Sequence, residues 1–488
     1  MFFGSPTLRA SRRSALSVSL AAGLGLCLAA TAGTASEPAS TASTFGASPG
    51  PAIRLASSTA QRSQSKSRGP RPTTPHTVDT CADDDSPGSL RAIIASPNTG
   101  NDDTIDLTQL PMGCSTITLD TVTHVPGHIT ISQANLHLLG PGSGSLTIRS
   151  NRYSGVLRHT GTGTLDIEGL TIAQGKYVSD NQPVGGCIYS KGTVSLTNSV
   201  VDHCAALGTS MVGARGAGVY TQGDLILDRS SISYSNAYNV EAIDAYGGGA
   251  FVSGNLKATY ASISNNYVSG SGGGACVAGS MTSISSSTIS SNRANAMGGL
   301  YLGDVNGSAE VVDSTISGNE AMIAHVGALY ARGDLKLTNS TVAFNHDHTA
   351  SYAEVSVGGA HLVLESSILA GNGNAAGPAD LWTKATTTIT AANNLVVAAS
   401  GASLPANTIH DCPQLDPLAD NGGFTLTHAI KPTSPAIDTG SNPIPLAFDQ
   451  TGYVRKEGVE TDIGAFEWRT GTGQERVFVG GFDGLCDQ

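Results

Sequence analysis

The chain has 488 residues, a formal net charge of −12, 60 glycines, and only 5% aromatic and 13% charged residues. The charge is split: residues 1–76 hold 8 Lys/Arg and one acid, Glu37, which leaves 18 Lys/Arg and 37 Asp/Glu, a balance of −19, for the rest. An acidic body excludes nucleic acid and anionic membranes as partners, and the sparse charge argues against disorder.

The first segment reads as an export signal. Arg9, Arg12 and Arg13 precede an apolar run from Ala15 to Ala30, and Ala30-Thr31-Ala32 offers a small-x-small cleavage site. The run is short for a transmembrane helix, and no later stretch is apolar over a spanning length. The residues around Arg12-Arg13 fit twin-arginine export poorly, and Leu26 is too large before Cys27 for a lipoprotein signal. Residues 1–32 are therefore expected to be a signal peptide. Residues 33–76, rich in Ser, Thr, Ala and Pro, are expected to be a linker. Within it Gly46-Ala47-Ser48-Pro49-Gly50 matches a nucleophile elbow by letter but lacks the strand and helix that motif needs. The expected address is extracellular or the bacterial cell surface.

The folded part is expected from Thr77. Asp83-Asp84-Asp85-Ser86-Pro87-Gly88-Ser89 followed by Leu90, Ile93 and Ile94 predicts a short capped helix. A stacked array needs its open end covered, and this helix is assigned that role. Asp103–Leu107 and Ser115–Leu119 predict the first strands, and coils continue through Ala134–Leu139, Leu146–Ile148 and Leu165–Ile172.

Residues 185–372 repeat one pattern: a Gly-rich entry, an apolar run, an alternating run, a second apolar run and a polar turn. Val201, Ile232, Ile263, Ile289, Ile316, Val342 and Leu369 align with steps of 31, 31, 26, 27, 26 and 27 residues. A fixed period of this size with short alternating segments predicts a solenoid of strands. Three places after the aliphatic residue stand Cys204, Ser235, Asn266, Asn292, Asn319, Asn345 and Asn372. Coils stacked ~4.8 Å apart would set each Asn amide over the next, so that the column bonds to itself. The fold class predicted is all-β, a right-handed parallel β-helix (solenoid) over 77–411 with a short N-terminal capping helix. The hand follows from the rule for parallel crossovers.

Thr386–Thr390 and Asn394–Ala398 predict the last coils, and the loop-rich segment 412–469 is expected to be a C-terminal cap. Asp420-Asn421-Gly422-Gly423, Thr427-His428-Ala429, Ser434-Pro435-Ala436-Ile437-Asp438-Thr439-Gly440, Asp449-Gln450-x-Gly452-x-x-Arg455 and Asp462-Ile463-Gly464-Ala465-Phe466-Glu467 closely resemble the end of bacterial choice-of-anchor Q β-helix proteins. Cys81 with Gly88-Ser89-Leu90-Arg91-Ala92-Ile93 resembles the N-terminal element called CSLREA in such proteins. The resemblance implies an exported β-helix and no particular reaction. Val477–Asp483 is similar to a short tail of some members, with Gly480 where Asp is usual. The resemblance implies that residues 470–488 are a tail able to serve as a sorting or anchoring segment.

Seven cysteines follow the signal. Cys81 with Cys114 would tie the helix to the first coil, Cys187 with Cys204 would close one copy, and Cys412 with Cys486 could tie the tail. Cys276 is left over. The strongest polar cluster is His346-Asp347-His348, after Asn345, a set able to bind a metal or shuttle protons but equally a solvated turn. Asp202, Asp228 and Asp313 fall in different columns, so the acids do not stack into a Ca²⁺ site or a hydrolytic pair. No phosphate-loop, zinc-protease or dinucleotide motif is present, and no cofactor is expected. The function expected is non-catalytic adhesion or binding, with an extracellular polysaccharide or a host or neighbour surface as partner. The alternative is a polysaccharide lyase or glycoside hydrolase whose site assembles only in three dimensions. Function is expected where the repeat breaks, chiefly in the turns after Cys204, Asn236, Val268 and Asn345.

Overall fold

The computed structural model describes residues 75–120, 122–150, 154–209, 212–239, 244–349 and 352–469. The expected signal peptide, almost all of the linker and the tail 470–488 lie outside the described residues. Strands are two to five residues long. The central coils carry four of them, as in Thr193–Thr197, Val200–Asp202, Ala205–Gly208 and Val219–Thr221, and the first two coils and the last carry three. Equivalent strands of successive coils stack into sheets of 12, 11, 9 and 11 strands, here called faces 1 to 4 in that order. The result is a parallel β-solenoid of about eleven turns. The first strand, Pro75–Thr77, pairs with Asp103–Asp106, so face 1 begins just inside the expected linker.

The aliphatic column is the inward position of face 2. Val201, Ile232, Ile263, Ile289, Ile316, Val342 and Leu369 are successive register partners, and all are at most 1% exposed. They join the inward Leu, Ile and Val of faces 1 and 4 in one continuous core. Stacking buries one row of each strand, as period 2 requires.

Two corners in most coils turn the chain through left-handed backbone, and Gly185, Gly216, Gly247 and Gly272 add a third before face 4. The first corner, between faces 1 and 2, uses Asn198, Arg229, Ser286 and Asn339, with φ of 47°, 47°, 46° and 46°. The following serine then bonds between coils: Ser199 N–H donates to Ser230 Oγ (3.0 Å), Ser287 N–H to Ser314 Oγ (3.1 Å) and Ser340 N–H to Ser367 Oγ (3.2 Å). At the second corner the expected asparagine ladder is present. Asn266, Asn292, Asn319 and Asn345 each donate from Nδ2 to Oδ1 of the next, at 2.9, 2.9, 2.8 and 2.8 Å, the last to Asn372. All five are at most 1% exposed.

The stretch after each ladder position, expected to be a polar turn, is a fourth strand. Face 3 strands are short, and their inward residue is small: Ala206, Ala237, Ala294 and Ala321 are fully buried. So brief an alternation leaves little pattern in a sequence.

The disulfides Cys81–Cys114 and Cys187–Cys204 are both formed. Cys412 and Cys276 are disulfide-bonded as well. That corrects the expectation that Cys276 stays unpaired: among the described residues no cysteine is free. The pairing of Cys412 with Cys486 falls outside the described residues. The helix spans Leu90–Ala95, with Ser89 Oγ accepting the Ala92 N–H. Leu90, Ile93 and Ile94 are buried in the same core as the first coils. Asp83 binds Arg91 through two oxygens (2.9 and 2.7 Å), which accounts for part of the acidic run.

Segment 412–469, expected as a terminal cap, lies along the outer side of face 2. Thr288 Oγ1 donates to the Leu426 carbonyl (2.6 Å), Ser317 bonds His428 (2.8 Å), and Ala465 N–H donates to Thr341 Oγ1 (3.1 Å). It acts as a lateral clasp across several coils, because face 2 offers a row of outward hydroxyls there. Its apolar side, with Ala429, Ile430, Ala436, Ile463 and Phe466, packs on Ile368 and Leu395.

Candidate functional site

Outward residues of face 3 form one row along the axis: Asn236, Tyr267, Arg293, Glu320 and His346 are successive partners. Arg293 Nε lies 2.8 Å from Glu320 Oε2, and His348 Nε2 lies 4.0 Å from the same oxygen. The rings of His346 and His348 meet edge-on, with centroids 4.7 Å apart. The trio His346-Asp347-His348 is therefore divided. Strand alternation turns both imidazoles outward, whereas Asp347 is fully buried and accepts the Thr349 N–H and hydroxyl at 2.8 and 2.9 Å. The carboxylate beside the imidazoles is Glu320, one coil earlier. Among the described residues no group of three His, Cys, Asp or Glu side chains stands ready to hold a metal ion.

Two acids that sequence reasoning missed enter the coil interior. The position before each face 4 strand is Cys187, Gly218, Gly249, Gly274, Gly299, Ala328, Glu354 and Asp380 in successive coils. Their signal was available: carboxylates replace small residues in an otherwise small-residue column. Asp380 ends the asparagine ladder. Its Oδ1 accepts the Asn372 side-chain and main-chain N–H groups (2.9 and 3.1 Å), and Oδ2 accepts the Ala398 N–H (2.8 Å). Burial pushes it up to about 6, against these hydrogen bonds. Glu354 Oε2 accepts the Gly327 N–H, and Oε1 has no partner. Burial, aided by the nearby Asp347 carboxylate, pushes Glu354 up to about 9, against the Gly327 hydrogen bond. Glu354 is thus a neutral acid at pH 7. A Cβ at Gly327 would lie 2.7 Å from the His346 main-chain nitrogen and against the Glu354 carboxyl, so glycine is required there.

The residues that carry the C-terminal resemblance hold the clasp. Gln450 accepts from Thr315 Oγ1 (2.7 Å) and donates to the Ser287 carbonyl (3.1 Å) and Thr288 Oγ1 (3.0 Å). Arg455, 1% exposed, donates to the carbonyls of Asp462 (3.1 Å) and Gly464 (2.6 Å) and faces Asp313 at 3.6 Å. Burial drives Asp313 well above the usual carboxylate range, opposed by Arg455. Asp449 accepts N–H groups of Thr451, Tyr453 and Glu467. His428, held down to about 4 by burial, bridges Ser317 and the Asp416 carbonyl. These hydrogen bonds are spent within a buried joint.

Face 4 carries an outward aromatic column: Tyr189, Tyr220 and Phe251 stack with centroids 5.5 and 5.4 Å apart, and Tyr301 stacks on Tyr330 at 6.0 Å. Turn residues Val184, Tyr246 and Met297 cover it. The column reopens at Trp382, where a hairpin pairing Gly373–Asn374 with Gly377–Pro378 interrupts face 3. Between that hairpin and Tyr352 lies a cleft of about 270 Å³. Tyr352 meets Trp382 edge-on at 5.6 Å.

Among the described residues no helix is long and apolar enough to cross a membrane. No family model matches the sequence, and no curated protein matches it. Among solved structures the chain is similar to one titled "Crystal structure of pectate lyase Pel9A", at 13% identity and a TM-score of 0.47, over 81% of this chain and 97% of that one.

Proposed function

We propose that this is an exported, surface-exposed β-helix protein that binds an extracellular polysaccharide or a neighbouring surface without transforming it. One observation carries the reading. The strongly perturbed carboxyl groups Glu354, Asp380, Asp313 and Glu467 are all buried, in the coil interior or beneath the clasp. On face 3 the outward positions instead form an axial row at strand spacing, Asn236, Tyr267, Arg293, Glu320 and His346, a surface suited to repeated contacts with a polymer. The helix Leu90–Ala95 is the N-terminal cap in this reading, and the hand of the solenoid is right. Membership of the choice-of-anchor Q type is supported by the coherence of its motif residues, which build one clasp. The disulfides Cys81–Cys114 and Cys187–Cys204 fit an oxidising, extracellular address.

The test combines polymer pull-down with a turnover screen on pectin, alginate and neutral glycans, with and without Ca²⁺. Retention without new reducing or unsaturated ends is the expected outcome. Sustained turnover would replace this reading with a lyase or hydrolase.

A further inference from the structure

We propose that the cleft between Tyr352 and Trp382 is a subsite for one uncharged pyranose unit of a neutral polysaccharide; this rests on the polysaccharide-binding reading above and names its ligand class. Three observations lead there. The outward column of face 4 runs in register from Tyr301 through Tyr330 and Ser356 to Trp382. Tyr301 is 1% exposed, whereas Tyr352 beside Trp382 is 36% exposed, so aromatic surface hidden in the earlier coils is open here. None of the 11 lining residues is charged, on a chain whose residues after His76 balance to −19. A polyuronate would meet repulsion and find no cation in the cleft, while a neutral sugar loses nothing.

The polar groups suit hydroxyls. Asn374 donates one amide hydrogen to the Tyr352 carbonyl (2.9 Å), and its Oδ1 accepts the Ala376 N–H (2.8 Å), so the amide is fixed in place with a second hydrogen to give. Ser400 supplies a hydroxyl at the far wall, in register with Trp382. Aromatic rings offer a flat apolar face beside polar rims, the complement of a sugar ring with C–H groups on its faces and hydroxyls at its edge. A volume of about 270 Å³ lies just below the roughly 300–1,000 Å³ of drug-sized sites, a size for one ring rather than several.

The chain has two tryptophans, Trp382 and Trp468, so a Trp468→Phe background reports Trp382 fluorescence alone. In that background, hexasaccharides of β-1,4-linked glucose, xylose and mannose are titrated against hexagalacturonate, and calorimetry gives affinities for the wild-type chain. The expected result is an emission change with at least one neutral hexasaccharide. Trp382→Ala and Tyr352→Ala should bind it about tenfold more weakly. Trp382→Phe should retain most of the affinity, and it keeps the test valid if Trp382→Ala fails to melt cooperatively. Neutral binding undiminished in well-folded variants overturns the cleft while leaving polysaccharide binding in place. Binding of hexagalacturonate alone does the same. Binding of none of the four overturns both.

Discussion

Asn319→Leu tests the ladder where it is most regular. The wild-type side chain makes four bonds: Nδ2 donates to Asn345 Oδ1 (2.8 Å) and to the Ile289 carbonyl (3.0 Å), and Oδ1 accepts the Asn292 Nδ2 (2.9 Å) and Asn292 N–H (3.0 Å). Leucine has similar volume, so the cavity term is small. It strands the Asn292 N–H and one Asn292 amide hydrogen, the other staying on the Ile263 carbonyl (2.9 Å), in a site that is 0% exposed at Asn292 and at Asn319. Each buried unpaired group costs about 1–3 kcal/mol. Asn345 Oδ1 still receives the Asn319 N–H (3.0 Å), and the apolar side chain recovers about 1 kcal/mol by leaving water. The net expected loss is about 3 kcal/mol. With an unfolding entropy of about 2.1 cal/mol/K per residue, a body of this size should lose roughly 4 °C in Tm. Differential scanning calorimetry, with the outward Ser231→Ala as control, measures it. A Tm within about 1 °C of wild type would refute a buried, bonded ladder.

Three further outcomes are expected. Arg455→Met leaves Asp313 buried without its cation, so the clasp should loosen at a cost of about 3 kcal/mol; hydrogen exchange should rise at Ser286–Leu369, and unchanged protection there would count against the joint. Stability should fall as pH rises, because Asp380, Glu467 and Glu354 are raised in the fold to about 6, 7 and 9. Groups raised on folding stabilise fully below their unfolded values near 4 and lose that contribution as pH climbs through the folded ones. Buried His128 and His428, held down to about 4, change in the opposite sense until about pH 6.5, so the drop in Tm should be read between pH 7 and pH 9, less steeply in Glu354→Gln; a rise in Tm there, or an unchanged slope in the variant, would contradict the burial argument. Cys187→Ala with Cys204→Ala opens a link across 17 residues and should cost about 3 kcal/mol, read as a lower urea midpoint, and an unaltered midpoint would show the bond to be idle.

What could be read from the sequence was whatever recurs once per coil. Ile263, Ile289 and Ile316, with Asn266, Asn292 and Asn319, sit in register because stacking demands the same side chain at the same corner each time. Face 3 escaped because its strands are only two to four residues long and most bury little more than one small side chain. Glu354 and Asp380 were also missed: single departures stand out only once the small-residue column containing them is known. The clasp was recognised as a segment but not in its position. The bond between Ser317 and His428 spans 111 residues, and no local pattern announces such a contact. Likewise His346-Asp347-His348 looked like one cluster until the strand placed its members on opposite sides.

The asparagine ladder has an electrical direction. Every side-chain amide from Asn266 to Asn372 presents its oxygen toward the preceding coil and its NH₂ toward the following one. The aligned amide dipoles add, as peptide dipoles do along a helix, and leave partial positive charge at the far end. That end is where Asp380 stands, an acceptor-only group in the place of a sixth amide whose own hydrogens would have needed new partners. The row therefore has a beginning, a repeatable middle and a terminator. A further coil of 26 or 27 residues would repeat the same bonds, so the row has no length of its own; its count is fixed instead by the clasp, whose Gln450 ties the coil of Thr288 to that of Thr315.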